Sequence, residues 1–196
     1  MDKNDKCKIC RTMGEKLFLK GDKCNLPTCP FSRRSYAPGQ HGGKMRRHGR
    51  PSDYKTQLME KQKARAIYGL SEVVLSSYYS QARKDKGSTG QKLMDLLESR
   101  LDNIIYRASW AASRRDARQM ASHGKVKLNG KGCKSSNTVL TKGDKLEVKE
   151  VLVDIKRDIP DWLKVSGKTL EVISTPKYDK DQSIINEQLI IEFYSR

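Results

Sequence analysis

The sequence predicts an α+β fold: a helical domain led by a cysteine knuckle, and a smaller α/β part whose helices pack on a small, mostly antiparallel sheet. Three observations carry this. Four cysteines crowd into the first 29 residues. Between Ser52 and Ile105 the apolar residues recur at helical spacing. From Lys125 onward the pattern shortens to alternating runs broken by glycine turns.

Composition narrows the function. The 196 residues carry 40 Lys+Arg against 23 Asp+Glu, a net charge of +17. With 36% hydrophobic residues and a mean hydropathy of −0.77, the core must be compact, and a large catalytic domain with a deep pocket is hard to fit. The sequence holds no apolar run of about 18 residues and its N-terminus, MDKNDKCKIC, has no secretion-signal stretch, so the expectation is a soluble, cytoplasmic protein. The charge is uneven. Residues 1–66 hold 17 basic and 6 acidic side chains, 67–99 hold 4 and 4, 100–149 hold 12 and 4, and 150–196 hold 7 and 9. Two separate basic blocks suggest two contact surfaces on one polyanion. No basic stretch pairs with the apolar, Trp-anchored face of a membrane-surface helix.

The cysteines are spaced Cys7-x2-Cys10-x13-Cys24-x4-Cys29. Two close pairs across a loop are the pattern of a tetrahedral thiolate site, which makes one structural zinc ion the expected cofactor. Residues 1–31 offer few apolar side chains, whereas zinc binding to such peptides contributes on the order of 10–16 kcal/mol. Disulfides are the weaker alternative: a reducing cytosol disfavours them and a fifth cysteine is left over. Four thiolates would leave no open position for catalysis. Cys133, alone in a strand-like stretch, reads as a small buried apolar residue.

From Arg33 to Arg50 the chain runs RRSYAPGQHGGKMRRHGR, glycine-rich and without an acid. It cannot bury enough apolar surface to fold unaided, and its guanidinium forks, exposed backbone and Tyr36 suit an RNA backbone and unpaired bases. Ser52 is placed to cap a helix that runs to Gly69, with Tyr54, Leu58, Met59, Ala66 and Ile67 inward and Lys55, Lys61, Lys63 and Arg65 largely on other faces. Ser71 opens a second helix with Val74, Tyr78 and Ala82 on one side. Leu93, Leu96, Leu97, Leu101, Ile104 and Ile105 predict a third.

In the second basic block Ser113 can cap a helix ending at His123-Gly124, with Ala117, Met120 and Ala121 inward. Arg114, Arg115 and Arg118 then crowd its start, against the helix dipole, at a cost of a few tenths to about 1 kcal/mol each where exposed. A phosphate at that end explains the placement. Lys125-Val126-Lys127-Leu128 alternates like a strand and Asn129-Gly130 is a hairpin turn pair. Further strands are expected near Leu146–Val153 and Leu170–Ile173, with turns at Lys142-Gly143-Asp144 and Ser166-Gly167-Lys168.

RLDNIIYR (Arg100–Arg107), SRRDARQMASHGKVKLNG (Ser113–Gly130) and the GD-x-L-x-V of Gly143–Val148 resemble the small RNA-binding domain named after ribosomal protein S-four. CKIC, EKLFLKGDKC, YAPGQHG, SDYKTQLMEKQKARAIYGL, KGSTG and the terminal NEQLIIEFYSR extend the resemblance to the bacterial family of the fourth small-subunit ribosomal protein over nearly the whole chain. The resemblance implies a zinc knuckle at 1–31, a basic linker at 32–51, and a helical domain at 52–92 completed by a returning helix within 183–196. It implies an RNA-binding domain inserted at 93–182, with its core at 100–160. It also implies a non-enzymatic, primary binder of small-subunit ribosomal RNA that recognises a multi-helix junction, nucleates assembly of the subunit body and adjoins ribosomal protein five. That neighbour lies at an interface affecting decoding accuracy, close to where messenger RNA enters.

The residues expected to meet RNA are Arg33, Arg34, Tyr36, Gln40, His41, Lys44, Arg46, Arg47 and Arg50 in the linker, then Ser52, Tyr54, Lys55, Gln62, Lys63 and Arg65, and Lys86. In the second block they are Ser113, Arg114, Arg115, Arg118, Gln119, His123, Lys125, Lys127 and Asn129.

Overall fold

The structure is a computed structural model that describes residues 5–40, 42, 51–85, 87–150, 157–178 and 184–196. The chain divides into two compact units, Met1–Glu72 with Ile184–Arg196, and Val73–Ser183.

In the first unit, α1 (Asp5–Met13) is followed by a 3-10 turn at Gly21–Cys24, the short α2 (Pro30–Arg33) and the long α3 (Asp53–Tyr68); α8 (Glu187–Tyr194) returns to pack on α3. The ends of α3 are written in the sequence. Ser52 accepts a hydrogen bond from Lys55 N at 3.3 Å, and Gly69 closes the helix at φ 62°, a left-handed conformation that glycine adopts without strain. Asn186 caps α8 through Gln188 N and Leu189 N. In the linker, a Cβ on Gly42 would collide with the carbonyl oxygen of Ala37, so glycine is required there.

The buried face of α3 differs from the apolar one expected. Gln57, Glu60, Lys61 and Lys63 are buried beside Ala64, Ile67 and Tyr68, while Tyr54 is 51% exposed. The reason is α8. Gln57 Nε2 donates to Glu192 Oε2 at 2.9 Å, Glu60 accepts from Asn186 N at 2.8 Å, and Lys61 lies 4.1 Å from the centroid of the Phe193 ring. A helix 120 residues downstream in sequence converts a polar face into an interior one, and local periodicity cannot anticipate that.

The second unit holds most of α4 (Glu72–Lys84), α5 (Thr89–Glu98), α6 (Leu101–Arg107), α7 (Arg114–Ser122) and a five-stranded antiparallel sheet: β1 (Val126–Leu128), β2 (Lys131–Gly132), β3 (Lys145–Val148), β4 (Leu163–Ser166) and β5 (Thr169–Val172). Strand order is β2-β1-β3-β5-β4. Its inner face (Val126, Leu146, Val148, Leu163, Leu170, Val172) packs on Leu101, Ile104 and Ile105 of α6, on Ala117, Met120 and Ala121 of α7, and on Trp110 and Trp162. Asn129 and Gly130 both have positive φ (50° and 79°), as the tight β1–β2 turn requires.

Three expectations are corrected here. The single third helix is two, because Arg100 is extended (φ −71°, ψ 141°) and bridges Val139, with Leu101 N donating to Thr138 O and Leu140 N to Ser99 O. On α4 the buried face is Leu75, Tyr79 and Ala82, because Tyr78 turns its hydroxyl to Arg100. Strands β2 and β4 were not anticipated: β2 is two exposed residues, and β4 follows an irregular stretch with no turn pair to announce it. The strand expected over Leu146–Val153 stops at Val148, with Lys149 and Glu150 outside it; residues 151–153 lie outside the described residues. Cys133 is half-buried against the core, its Sγ 3.6 Å from Thr138 Oγ1.

Candidate nucleic-acid interface

Helix α7 begins as its sequence requires. Ser113 Oγ accepts from Asp116 N at 3.3 Å and Asp116 Oδ2 accepts from Ala112 N at 3.0 Å, a reciprocal cap. Asp116 also places a negative charge where the dipole favours one, offsetting the arginines around it.

Those arginines divide by direction. Arg114 turns inward: its Nε donates to Asn103 Oδ1 at 2.7 Å and its guanidinium lies 4.4 Å from the Tyr106 ring centroid. Arg118 donates through Nε and Nη2 to Asp102 Oδ2, at 3.2 and 2.6 Å. Arg115 is exposed, and so are Gln119 and His123, four and eight residues on. They form one outward stripe along α7.

Behind the stripe stands a polar framework. Arg100 is 0% exposed and donates to both oxygens of Asp102 (3.0 and 2.8 Å), to Tyr78 Oη (3.0 Å) and to Asn137 Oδ1 (2.7 Å). Burial alone would push the Arg100 guanidinium down; the hydrogen bonds and charge of Asp102 reverse that and hold it protonated. Glu98, also buried, takes Arg107 at 3.0 and 3.1 Å and Asn103 at 2.8 Å. Arg157 donates to the carbonyls of Tyr106, Ala111 and Ala112 (3.1, 2.9 and 2.8 Å) and stacks on Tyr106 at 4.2 Å, fixing the turn between α6 and α7. None of Asp102, Glu98, Tyr106 and Arg157 was picked out from sequence. The RLDN tetrapeptide places Arg100 and Asp102 two apart, and that spacing is the only local signal.

The rest of the second block is placed as follows. Lys125 is half-exposed. Lys127 is exposed on the outer sheet face directly opposite Glu147, where Lys145 likewise faces Glu171. Lys164 also lies opposite Glu171, so that outer face carries three lysines against two glutamates, and further positive charge stands at and beyond the β1–β2 hairpin, where Lys131 and Lys134 are exposed. Asn129 is a latch: its Nδ2 donates to Asp144 Oδ1 and its Oδ1 accepts from Lys145 N, each at 2.9 Å.

In the first unit Arg33, Arg34, Gln40 and Lys55 are exposed. Tyr36, 43% exposed, lies under the Arg11 guanidinium at 5.2 Å. Tyr54, 51% exposed, packs beside Phe193 (5.9 Å) and under the Arg196 guanidinium (5.7 Å). Other expected contacts are engaged internally. Lys63 is buried among Glu15 and Glu60 (3.0 Å each) and Ile184 O (2.9 Å); burial works to lower its pKa, and the two carboxylates raise it overall. Arg65 donates to Gln62 (2.9 Å) and Glu72 (3.2 Å), and Ser52 is occupied as a cap. His41, Lys44, Arg46, Arg47, Arg50 and Lys86 lie outside the described residues.

Cys10, Cys24 and Cys29 are buried and Cys7 half-buried, and none of them is in a disulfide. Burial, and the charge of the neighbouring cysteines, push the Cys10 and Cys24 thiols up, while backbone N–H groups of Leu17 and Lys20 work the other way. Lys20 N donates to Cys24 Sγ at 3.4 Å. Four cysteines are the donor set a soft ion takes, and backbone N–H groups bond to two of them, Cys10 and Cys24. Yet among the described residues no three His, Cys, Asp or Glu side chains converge closely enough to hold a metal.

Two family models match the chain in succession: one described as the ribosomal protein S4/S9 N-terminal domain, over residues 2–98, and one as the S4 domain, over residues 99–146. Small ribosomal subunit protein uS4 of Nitrosomonas eutropha is 45% identical over 206 residues, covering 98% of each chain. The proteins of the same name from Dictyoglomus thermophilum and Thermoanaerobacter pseudethanolicus are 42% and 41% identical, covering 97% of this chain and 96% of theirs. No described helix is long and apolar enough to cross a membrane.

Proposed function

The chain belongs to the uS4 family of small ribosomal subunit proteins, which are not enzymes, and from that membership we propose that it is a structural constituent of the bacterial small subunit, in the cytoplasm, and a primary binder of its ribosomal RNA. It recognises a multi-helix junction, nucleates assembly of the subunit body, and adjoins ribosomal protein five near the point where messenger RNA enters, so contributing to accuracy. The division into a knuckle at 1–31, a linker at 32–51, a helical domain at 52–92 with 183–196 and an inserted domain at 93–182 is part of this reading.

One observation supports it above the others. Exposed cations among the described residues include Arg115 on the α7 stripe with Lys131 and Lys134 near the β1–β2 hairpin in one unit, and Arg33, Arg34 and Lys55 in the other. Phosphate contacts on such surfaces give affinity and register, while Gln119, His123 and the exposed rings of Tyr36 and Tyr54 suit unpaired bases. Cys7, Cys10, Cys24 and Cys29 would hold one structural zinc ion, which contributes folding energy and no chemistry.

Footprinting of the purified protein on small-subunit RNA tests the reading, together with the salt dependence of binding. If about eight phosphates are neutralised, the log-log slope lies at roughly −6 to −7. A flat salt response, or protection no better than on an unrelated RNA, would overturn it.

A further inference from the structure

Of the six asparagines in the sequence, only Asn129 is followed by glycine; the others precede Asp5, Leu26, Ile104, Thr138 and Glu187. Glycine puts no side chain beside its own backbone nitrogen, so an Asn-Gly pair is the one most open to attack of that nitrogen on the asparagine carboxamide. Asn129 and Gly130 are both exposed, and water reaches them. Yet the carboxamide is not free to turn. Its Nδ2 donates to Asp144 Oδ1 and its Oδ1 accepts from Lys145 N, each at 2.9 Å, while Asn129 N donates to Lys145 O at 2.8 Å, so three bonds tie residue 129 to the start of β3. Asp144 is itself fixed. Its Oδ2 accepts from Thr141 N at 2.7 Å and from Thr141 Oγ1 at 3.1 Å, and its carbonyl accepts from Val172 N of β5 at 3.0 Å. Burial works to raise the Asp144 carboxyl, but the bonds from Thr141 and Asn129 hold it below its ordinary value, an ionised acceptor near neutral pH.

We propose that Asn129-Gly130 is a latent deamidation site that the Asp144 carboxylate keeps closed. In the reaction the Gly130 nitrogen gives up its proton and bonds to Asn129 Cγ, the Cγ–Nδ2 bond breaks, and Nδ2 leaves as ammonia carrying that proton. Water then adds across one of the two C–N bonds of the succinimide ring and yields aspartate or isoaspartate. Water is the only co-reactant, and nothing is oxidised or reduced. Attack needs the face of the carboxamide turned to the Gly130 nitrogen with the orbitals aligned. A carboxamide bonded through both its nitrogen and its oxygen to the β3 side makes that turn only by breaking both bonds, so reaction waits on a local opening. The product does not restore the latch. Aspartate sets an oxygen against Asp144 Oδ1 where a donor stood, and isoaspartate adds a methylene to the backbone of a tight turn whose φ values are 50° and 79°. Either leaves the β1–β2 hairpin without its bond to Asp144 and adds a negative charge beside the exposed Lys127 and Lys131. The chemistry is independent of RNA.

The test incubates the full chain at neutral pH and follows it by peptide mapping with mass spectrometry, which reads the exchange of NH for O at each asparagine. Folded wild type, wild type in urea, Asp144→Ala, Asp144→Asn and Leu163→Ala are compared. Three donors converge on the Asp144 carboxylate, and an amide offers one acceptor oxygen, so Asp144→Asn loosens the latch without opening a cavity. Leu163→Ala weakens the same core from β4 without touching the latch, and Asn137-Thr138 reports general damage in every sample. Folded wild type is expected to react at Asn129 more slowly than wild type in urea. Asp144→Ala should react faster than folded wild type by about 10–100-fold, the opening equilibrium of one hydrogen bond to a charged group. Asp144→Asn should move in the same direction, and it decides the matter if Asp144→Ala does not fold; Leu163→Ala should match wild type. Folded wild type reacting as fast as in urea, or natively folded Asp144 variants no faster than wild type, overturns the proposal. A slower reaction in those variants would make the carboxylate a promoter and overturn it equally. So would an equal acceleration in Leu163→Ala, which would place the protection in the whole unit and not in Asp144.

Discussion

Arg118 and Asp102 are joined by two hydrogen bonds, Nε and Nη2 to Oδ2 at 3.2 and 2.6 Å, and the Asp102 side chain is only 2% exposed. The same carboxylate receives both forks of the fully buried Arg100. Arg118, expected from sequence to meet a phosphate, is thus tied to a buried carboxylate while 35% of its side chain stays exposed, and Asp102 is the shared anchor of a framework that carries α6 and α7.

Replacing Asp102 with alanine leaves the Arg100 guanidinium buried without its counter-charge. Breaking a buried pair from one side costs about 3–5 kcal/mol, so Asp102→Ala should lose that much in urea unfolding of the second unit. A change below about 1 kcal/mol would mean the pair is solvated.

Arg115→Gln and Arg118→Gln should part company. Arg115 faces outward, so its loss should weaken RNA binding and flatten the salt slope by about one with unchanged melting. Arg118→Gln should lower the melting temperature, because it strips a partner from Asp102. RNA affinity unaffected by Arg115→Gln would remove α7 from the proposed interface.

Arg157→Ala deletes three charge-assisted bonds to the carbonyls of the α6–α7 turn and one stacking partner of Tyr106. Hydrogen bonds to charged groups contribute about 1.5–3 kcal/mol each and are not additive, so a loss of about 2–4 kcal/mol is expected. Amide exchange should accelerate around Ser109–Ser113, and protection equal to wild type would show the turn holds without its clamp.

Glu72 ties α8 to α3 in the first unit, accepting from Lys61 (2.8 Å) and Tyr194 (2.9 Å). Burial pushes its carboxyl up, but hydrogen bonds from Lys61 and Tyr194 and the Arg65 charge outweigh this and hold it below the ordinary carboxylate range. A depressed folded value means that its stabilisation is complete above the unfolded value of about 4.3 and fades as pH falls through the folded one. Acid titration followed by circular dichroism should therefore show α8 loosening below about pH 4, and Glu72→Gln should remove that part of the pH dependence.

For the thiol cluster, purified protein should contain one equivalent of zinc, and Cys24→Ser should lower that content while destabilising α1 and α2. A chelator should produce the same loss. Metal-free protein with an unchanged N-terminal spectrum would argue that burial alone holds the knuckle.

Local chemistry determined a good deal unaided. Ser52, Gly69 and Ser113 mark helix ends because each supplies a backbone partner or a left-handed bend to its immediate neighbours, and Asn129-Gly130 fixes a tight turn for the same short-range reason. Charge blocks named a polyanion as the partner because net charge acts at long range whatever the fold. Direction and partnership were settled only in three dimensions. Lys63, Arg65, Arg114 and Arg118 look like surface cations in sequence, yet carboxylates or amides from distant segments draw them inward. A charge in a sequence has a sign but no orientation, and whether it faces a phosphate or an aspartate depends on which remote segments the packed chain sets against it.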